Sequence, residues 1–350
     1  MNNQLNVIPQ NQINDSQDYL DLRNAFNREN LQSRLALLSG KKVFFRSDFT
    51  KEAIPLQTLG DMADSAAIPF QLRELSASPR ERFVVAVDSS CALIGETEDG
   101  SIYAGRVAIV YASRSKIVKY CRAGPIIFYL DPQAIQSDLG SKVSPKVTRL
   151  VLNDRALAEK FIRLRLERVA QIEAAKLCSD SIILVDGSLR SSILEPHGLS
   201  LRELERASEE NFNQVLGISK ASSLRFISRT ATALQSIRKS SVYIDATETV
   251  RALIPSIESK VLIAKFGSNC PVFRVDYSYK NAEAESQVLS DVKFNDVLFR
   301  GYPETLRLAH HLSVFDASTI SSVRGFLSSK YGMVQIPSDD LRATVLGRLL

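Results

Sequence analysis

The sequence predicts an α/β fold, a mixed β-sheet flanked by helices with a helical N-terminal arm. Three observations carry this. Phe83-Val84-Val85-Ala86-Val87-Asp88 has no polar face until its last residue, as expected of a central strand covered on both sides. Ser181-Ile182-Ile183-Leu184-Val185-Asp186 repeats the pattern and again ends on Asp. Between them, Arg155 to Leu177 lacks Gly and Pro and is rich in Ala, Leu, Glu and Arg, the composition of a long helix.

Residues 1–16 hold eight Asn or Gln and few large apolar groups, too little to offset the entropy of ordering, so a mobile polar tail is expected. Residues 17–80 are read as a helical arm and connecting segment. Tyr19, Leu22, Phe26, Leu31, Leu35 and Leu38 recur at helical spacing, and Gly40 stands where a C-terminal cap belongs, before Lys41-Lys42. From Phe45 to Ser78, short apolar clusters mixed with Pro55 and Pro69, and closed by Pro79, predict irregular and helical structure.

Residues 81–330 form the main domain. After the strand ending at Asp88, the turn Glu98-Asp99-Gly100-Ser101 leads to a strand from Ile102 to Tyr111. Two further strands, Ser115 to Arg122 and Pro125 to Leu130, complete an expected antiparallel meander. Asp154 is a good N-cap for the long helix. A polar helix follows from Leu199 to Phe212, then strands at Val215 to Ile218, Ser241 to Asp245, Val261 to Phe266 and Val272 to Tyr277. Gly301-Tyr302-Pro303 is expected to open a helix that carries His310, with Pro303 in its first turn, where a missing N–H costs nothing. Asp316 caps a last helix through Leu327 to about Lys330. Residues 331–350 are a C-terminal tail whose part from Val334 onward has no readable pattern, and no internal repeat is present.

Composition bounds the function classes. With 44 Lys and Arg against 39 Asp and Glu, the net charge is +5; 45% of residues are apolar and 24% charged, values of a globular chain. Only 15 Gly and 12 Pro argue against a collagenous or linker-rich chain. No apolar run approaches the ~18 residues that span a bilayer. The opening Met-Asn-Asn-Gln-Leu-Asn lacks the basic and apolar regions of a secretory signal, so a cytoplasmic protein without a membrane partner is expected. Cys91, Cys121, Cys178 and Cys270 are too far apart for a C-x-x-C pair and are expected as buried thiols. A charge of +5 is modest for a nucleic-acid binder, whose affinity comes from local Lys and Arg contacts, so composition leaves the partner open.

The two Asp-terminated strands, the acidic helix between them and the late helix would bring Asp88, Glu167, Asp186 and His310 towards one sheet edge. Carboxylates so clustered repel unless cations neutralise them, and hard divalent ions with oxygen ligands answer that need. The added imidazole favours Mn²⁺ over Ca²⁺, with Mg²⁺ as the alternative. Two such ions could activate water and stabilise the leaving oxygen of an in-line displacement at a phosphodiester. Each residue also has a structural role open to it. Asp88 and Asp186 can accept backbone hydrogen bonds in turns, Glu167 can pair with Arg163, and His310 can cap or pack. Ala170 and Ala174 share the Glu167 face, where small side chains would let the helix approach the sheet.

Gly217-Ile218-Ser219-Lys220 puts a Lys just beyond a strand, with Arg225 and Arg229 following. These cations could hold a phosphate backbone, or form a solvated basic loop. Arg114, Lys116, Lys119 and Arg122, interleaved with Tyr111 and Tyr120, could line a single-strand groove; the favoured reading is an exposed edge strand that uses Lys against aggregation.

In their joint order these elements resemble the NurA nuclease family. The resemblance covers roughly Phe83 to Leu327 and rests on Val87-Asp88-Ser89-Ser90, Arg163-Leu164-Arg165-Leu166-Glu167, Leu184-Val185-Asp186-Gly187-Ser188-Leu189, Gly217-Ile218-Ser219-Lys220, and Gly301-Tyr302-Pro303 with His310. It implies a ribonuclease H-like core, with Asp88, Glu167, Asp186 and His310 at metal-binding positions and Lys220 and Tyr302 at accessory active-site positions. It further implies a manganese-dependent DNA nuclease, 5′ to 3′ exonuclease and single-strand endonuclease. Such a protein would be a homodimer paired with a hexameric HerA-type translocase in DNA end resection and recombinational repair. One departure is Ser89, where many relatives carry Gly; Ser is tolerated there if its φ is negative. The N-terminal region also diverges; if partner recognition lies there, the helix Tyr19 to Leu38 would suit a different translocase or only the dimer mate.

Two other classes compete. A non-catalytic dimeric DNA-binding adaptor of a translocase would keep the acids for structure, and metal-dependent cleavage separates it from a nuclease. An actin-like ATPase also ends strands on Asp, but needs duplicated halves and a Gly-rich phosphate loop, neither of which the sequence has.

Overall fold

The computed structural model describes residues 42–45, 71–140, 144–220, 225–237, 241–278 and 283–337. The predicted polar tail and the helix Tyr19 to Leu38 lie outside the described residues. The chain begins with β1 (Lys42–Phe45) and β2 (Leu72–Glu74), followed by β3 (Val84–Glu96), β4 (Ser101–Ser113) and β5 (Lys116–Leu130). Helices α1 (Pro132–Leu139), α2 (Pro145–Asn153) and α3 (Arg155–Leu177) lead to β6 (Ile182–Asp186), α4 (Leu201–Glu210) and β7 (Gln214–Ser219). Next come α5 (Arg225–Ser236), β8 (Val242–Asp245), α6 (Thr247–Leu253), β9 (Lys260–Lys265), β10 (Val272–Tyr277) and α7 (Glu285–Asn295). The chain then forms β11 (Leu298–Phe299), β12 (Tyr302–Pro303), α8 (Glu304–Ser313), α9 (Ala317–Tyr331) and β13 (Val334–Pro337).

The sheet runs β5-β4-β3-β6-β7-β10-β9-β8-β2. The meander β3-β4-β5 is antiparallel, whereas β6 is parallel to β3 and β7 parallel to β6. Three antiparallel strands followed by two parallel ones in the order 5-4-3-6-7 give the predicted ribonuclease H-like core. Both faces of its centre are covered, which explains why β3 and β6 lack a polar face. Val85, Val87, Ile183, Val185 and Val215 pack with Phe161, Ile162, Leu166 and Ala170 of α3. Val84, Ala86, Ile182, Leu184, Leu216 and Ile218 pack with Val288, Leu289 and Val292 of α7 and with Tyr302 and Leu306. Ala170 and Ala174 are fully buried, as expected of a helix pressed onto a sheet. Gly105 of β4 helps, because a Cβ there would lie 2.6 Å from Leu166 Cδ1.

Several expectations are corrected. The two strands expected around Gly124-Pro125 are one, β5, because an irregularity opposite Gly105 and Val107 absorbs the Pro without leaving the ladder. Among the described residues β5 pairs only with β4, and Lys116, Val118, Tyr120 and Arg122 alternate outward, which is the edge-strand arrangement. Leu72–Glu74 is a strand on the opposite edge, paired with β8, where irregular or helical structure was expected. Val334–Pro337, without pattern in sequence, pairs in parallel with β1, which touches β3 at Glu96. Tyr302-Pro303 does not open α8 but forms a short hairpin strand with β11, turned by Arg300 and Gly301 at φ 52° and 80°. Pro303 therefore sits at the N-cap, and Asp296 caps the helix by accepting from Thr305 N and Oγ1. Among the cysteines only Cys178 is buried; Cys91 and Cys121 lie at the margin of the α3-facing core and Cys270 in the β9–β10 turn. Among the described residues no helix is long and apolar enough to cross a membrane.

Candidate active site

The site forms where β3 and β6 part. These parallel strands pair from Val84↔Ile182 to Val87↔Val185, after which β6 ends at Asp186 while β3 runs on to Glu96. Side chains alternate along a strand, so Asp88 and Asp186, each next after the last pair, share the face of Ala86 and Leu184, beneath α8. Ser89 points to the opposite face, towards α3.

Each acid has its own partners. Asp88 Oδ2 lies 2.8 Å from His310 Nδ1, and its Oδ1 accepts the Ser89 N–H at 2.8 Å. His310 stands on α8, which buries Leu306 and Ala309 against the sheet and leaves the imidazole side chain 52% exposed. The end of α8 is fastened by Arg106 of β4, which donates to Val314 O at 2.8 Å and stacks on Phe315, and by Ser90 Oγ, which donates to Ser313 O. Asp186 Oδ2 accepts from Lys220 Nζ at 2.9 Å, and Oδ1 accepts from Tyr302 Oη at 3.3 Å; the ammonium lies 5.0 Å from the Tyr302 ring centre. Glu167 comes from the other layer. Its Oε1 accepts from Ser89 Oγ at 2.8 Å and lies 3.6 Å from Arg163 Nη2, so the helical ion pair anticipated in sequence is present.

Burial raises the Asp88 carboxyl above its ordinary range, against the lowering effects of His310 and the Ser89 N–H. Burial pushes Glu167 up to about 7, opposed by Arg163 and reinforced by Asp88. Burial, with the Asp186 charge beside it, also raises the Tyr302 phenol. Asp88 and Glu167 therefore carry their charge at a cost that comes mainly from burial, and a bound cation would relieve it. Among the described residues, no three His, Cys, Asp or Glu side chains are already disposed as a metal shell. Instead His310, Arg163 and Lys220 each stand against one carboxylate. The donor set of three carboxylates and one imidazole fits a hard or borderline divalent cation.

Sequence reasoning grouped Asp88, Glu167, Asp186, His310, Lys220 and Tyr302, and the fold brings all six together. The side chains of Arg225 and Arg229 lie outside the described residues. Ser89 is in extended backbone, not in the positive-φ region, and its hydroxyl links β3 to Glu167. Missed altogether was the support under Asp186. Gly187, at φ +117°, starts a turn whose N–H bonds Ile218 O, and whose Leu189 N–H donates to Asp276 Oδ2 at 3.1 Å. Asp276 is buried and held by Arg274 at 2.6 and 2.9 Å. The turn rests on Gly217, where a Cβ would lie 2.5 Å from Gly187 O. The available signal was a strand bearing Arg274 and Asp276 opposite a glycine in its neighbour.

Residues 83–315 match the family profile of the NurA domain. The chain belongs to the NurA domain family. The matched span starts just before β3 and ends beyond α8, so it holds all six grouped residues. The structure is similar to the crystal structure of the NurA nuclease from Sulfolobus solfataricus, with 17% identity and TM-score 0.46 over 75% of this chain and 88% of that one. It is also similar to NurA bound to dAMP and manganese, with 9% identity and TM-score 0.45 over 77% and 92%. The catalytic domain of human endonuclease V matches at 15% identity and TM-score 0.36 over 70% and 85%. No curated protein matches the sequence.

Proposed function

We propose that this NurA-domain chain is a metal-dependent deoxyribonuclease that hydrolyses phosphodiester bonds at the parting of β3 and β6. The observation that carries the reading is the convergence of Asp88, Glu167, Asp186 and His310 from separate elements of both layers, within a NurA domain. These four would hold divalent cations, Mn²⁺ first and Mg²⁺ second, with two ions as the working number. Bound there, the cations would supply Lewis-acid polarisation of the phosphodiester and neutralise charge on its oxygens. Lys220, over Tyr302 at the end of β7, is placed to grip a non-bridging phosphate oxygen once Asp186 no longer needs its charge. Tyr302 keeps its phenolic proton across the physiological range, so its one O–H donates to Asp186 here and would be free for a substrate oxygen once Asp186 turns to a cation. Arg225 and Arg229 are assigned to the backbone of the bound strand.

By its resemblance to the family, the reading extends to 5′ to 3′ exonuclease and single-strand endonuclease activity. It extends also to a cytoplasmic homodimer acting with a HerA-type hexameric translocase in end resection for recombinational repair. The adaptor reading draws on a single feature, that every acid already has a partner within the protein. One experiment separates them: end-labelled single- and double-stranded DNA with the purified protein in Mn²⁺, Mg²⁺ or EDTA, beside Asp186→Ala. Metal-dependent shortening that disappears in the variant is expected. A folded, DNA-binding protein that cleaves with neither metal would overturn the nuclease and favour the adaptor.

A further inference from the structure

The nuclease reading gives work to His310 and Lys220 but none to Arg163, whose guanidinium also faces these acids. Arg163 lies one turn before Glu167 on α3. Its Nη2 is 3.6 Å from Glu167 Oε1, beyond hydrogen-bond length, and its side chain is 50% exposed. Its charge bears on Asp88 as well as Glu167. Ser89 Oγ, which donates to Glu167, lies 3.4 Å from the Arg163 carbonyl, so this turn of the helix is against β3 and the guanidinium stands at the rim of the acid cluster. A helical pair at this separation, with its arginine half exposed, contributes little to stability.

We propose that Arg163 is a substrate-gripping cation: it stands on Glu167 while the acids carry no metal, and turns to a DNA phosphate when a divalent cation takes the Glu167 oxygens. The inference rests on the nuclease reading and deepens it. A carboxylate engaged by a divalent cation loses most of its attraction for a guanidinium, and the two cations repel. Freed at the rim and half exposed, Arg163 has a planar fork matched to phosphate oxygens. Lys220 occupies the corresponding position on Asp186, so the two cations flank the acids, one from the α3 layer and one from the end of β7. A strand lying over the acids would then meet a positive group on each side of the reacting phosphate.

The test uses the full chain, with Arg163→Gln and Arg163→Lys. Calorimetric titration with Mn²⁺ alone reads the counter-ion role: Arg163→Gln is expected to bind Mn²⁺ as tightly as wild type or severalfold more tightly. Cleavage of a 5′-labelled 20-mer oligothymidylate in Mn²⁺, at salt from 50 to 300 mM, reads the grip. Loss of one phosphate contact should make the slope of log(kcat/KM) against log[salt] shallower by about 0.7, with about a tenfold loss carried mainly by KM. Arg163→Lys should restore the slope. An unchanged slope in Arg163→Gln overturns the proposal, as does Mn²⁺ binding weakened tenfold, which would make Arg163 a support for Glu167. If wild type itself neither binds Mn²⁺ nor cleaves, the nuclease reading falls and the proposal with it, a result distinct from an altered or unaltered slope in a working enzyme.

Discussion

Glu167→Gln should stabilise the metal-free protein and abolish its proposed activity together. The Glu167 side chain is 15% exposed, and its carboxyl is raised from an ordinary 4.5 to about 7. A folded-state pKa above the unfolded one means that the folded protein holds this proton more tightly. The associated stability is fully present below about pH 4.5 and is lost as pH rises through about 7. At about 1.4 kcal/mol per tenfold change in proton affinity, the loss by pH 8 is about 3 kcal/mol. The amide cannot ionise. Its oxygen keeps the Ser89 hydroxyl, but its N–H group gains no evident acceptor, so a net gain of about 2 kcal/mol is expected, or roughly 4–8 °C in Tm. Thermal melts in EDTA from pH 5 to 8 should show wild type falling relative to the variant across this window. Saturating Mn²⁺ should reverse the order at pH 8, because ligand at a hundred times its Kd stabilises wild type by about 2.7 kcal/mol and finds a damaged site in the variant. Parallel pH profiles in EDTA, with Glu167→Gln no more stable than wild type at pH 8, would refute the account of a costly acid cluster.

The support under Asp186 is open to similar tests. Gly217→Ala places a methyl against Gly187 O and Leu189 N, so it should cost about 1–3 kcal/mol in urea denaturation and weaken Mn²⁺ binding by displacing Asp186. Asp276→Asn leaves the Arg274 charge buried without its counter-ion and is expected to cost about 3–5 kcal/mol, read in the same denaturation experiment. Lys220→Ala should slow cleavage about 100-fold while Mn²⁺ binding, followed by calorimetry, stays as tight or tightens, since Asp186 is relieved of a competing cation.

What could be read from sequence were the residues that break a local pattern. Asp88 and Asp186 each end an apolar run, and Arg155–Leu177 has the N-cap Asp154, whose carboxylate accepts from Ala156 and Leu157 as its position predicts. Other signals were present and passed over. Asp131-Pro132 and Ser144-Pro145 are cap-plus-Pro starts, and both begin helices. The polar side of β10 gave no usable signal, for a different reason. Arg274 and Asp276 alternate with Phe273, Val275 and Tyr277, a pattern that ordinarily marks a solvent face, but here that face is covered by the turn after Asp186. Pairing of β13 with β1 joins segments from opposite ends of the chain, which short-range patterns do not report. The β11–β12 hairpin depends on Arg300 adopting a positive φ, for which its residue type gives no signal.

The parting of β3 from β6 ties this architecture to its chemistry. In a fully paired sheet the helical layers on the two faces are kept apart by the sheet itself, about 10 Å from each layer, and their side chains do not meet. Here β3 outruns β6, and the first two residues beyond the last pair point to opposite faces. Asp88 takes His310 from the α8 layer, and Ser89 takes Glu167 from the α3 layer. Two successive residues of one strand thus join groups that the sheet would otherwise separate, while Asp186 closes the third side from the strand that stopped. The same opening removes the neighbouring strand that would have shielded the acids, and each is held instead by a side-chain partner of its own. If the cluster is built for that opening, extending the apolar cover over it should damage metal binding more than stability. The Ser89→Val variant, which keeps the β-strand preference of its site but removes the hydroxyl bonded to Glu167, is the direct case: a fold retained within about 1–2 kcal/mol and Mn²⁺ affinity reduced tenfold or more are expected. Wild-type Mn²⁺ affinity in that variant would mean that Glu167 finds its place without β3, and that the parting of the strands is incidental to the site.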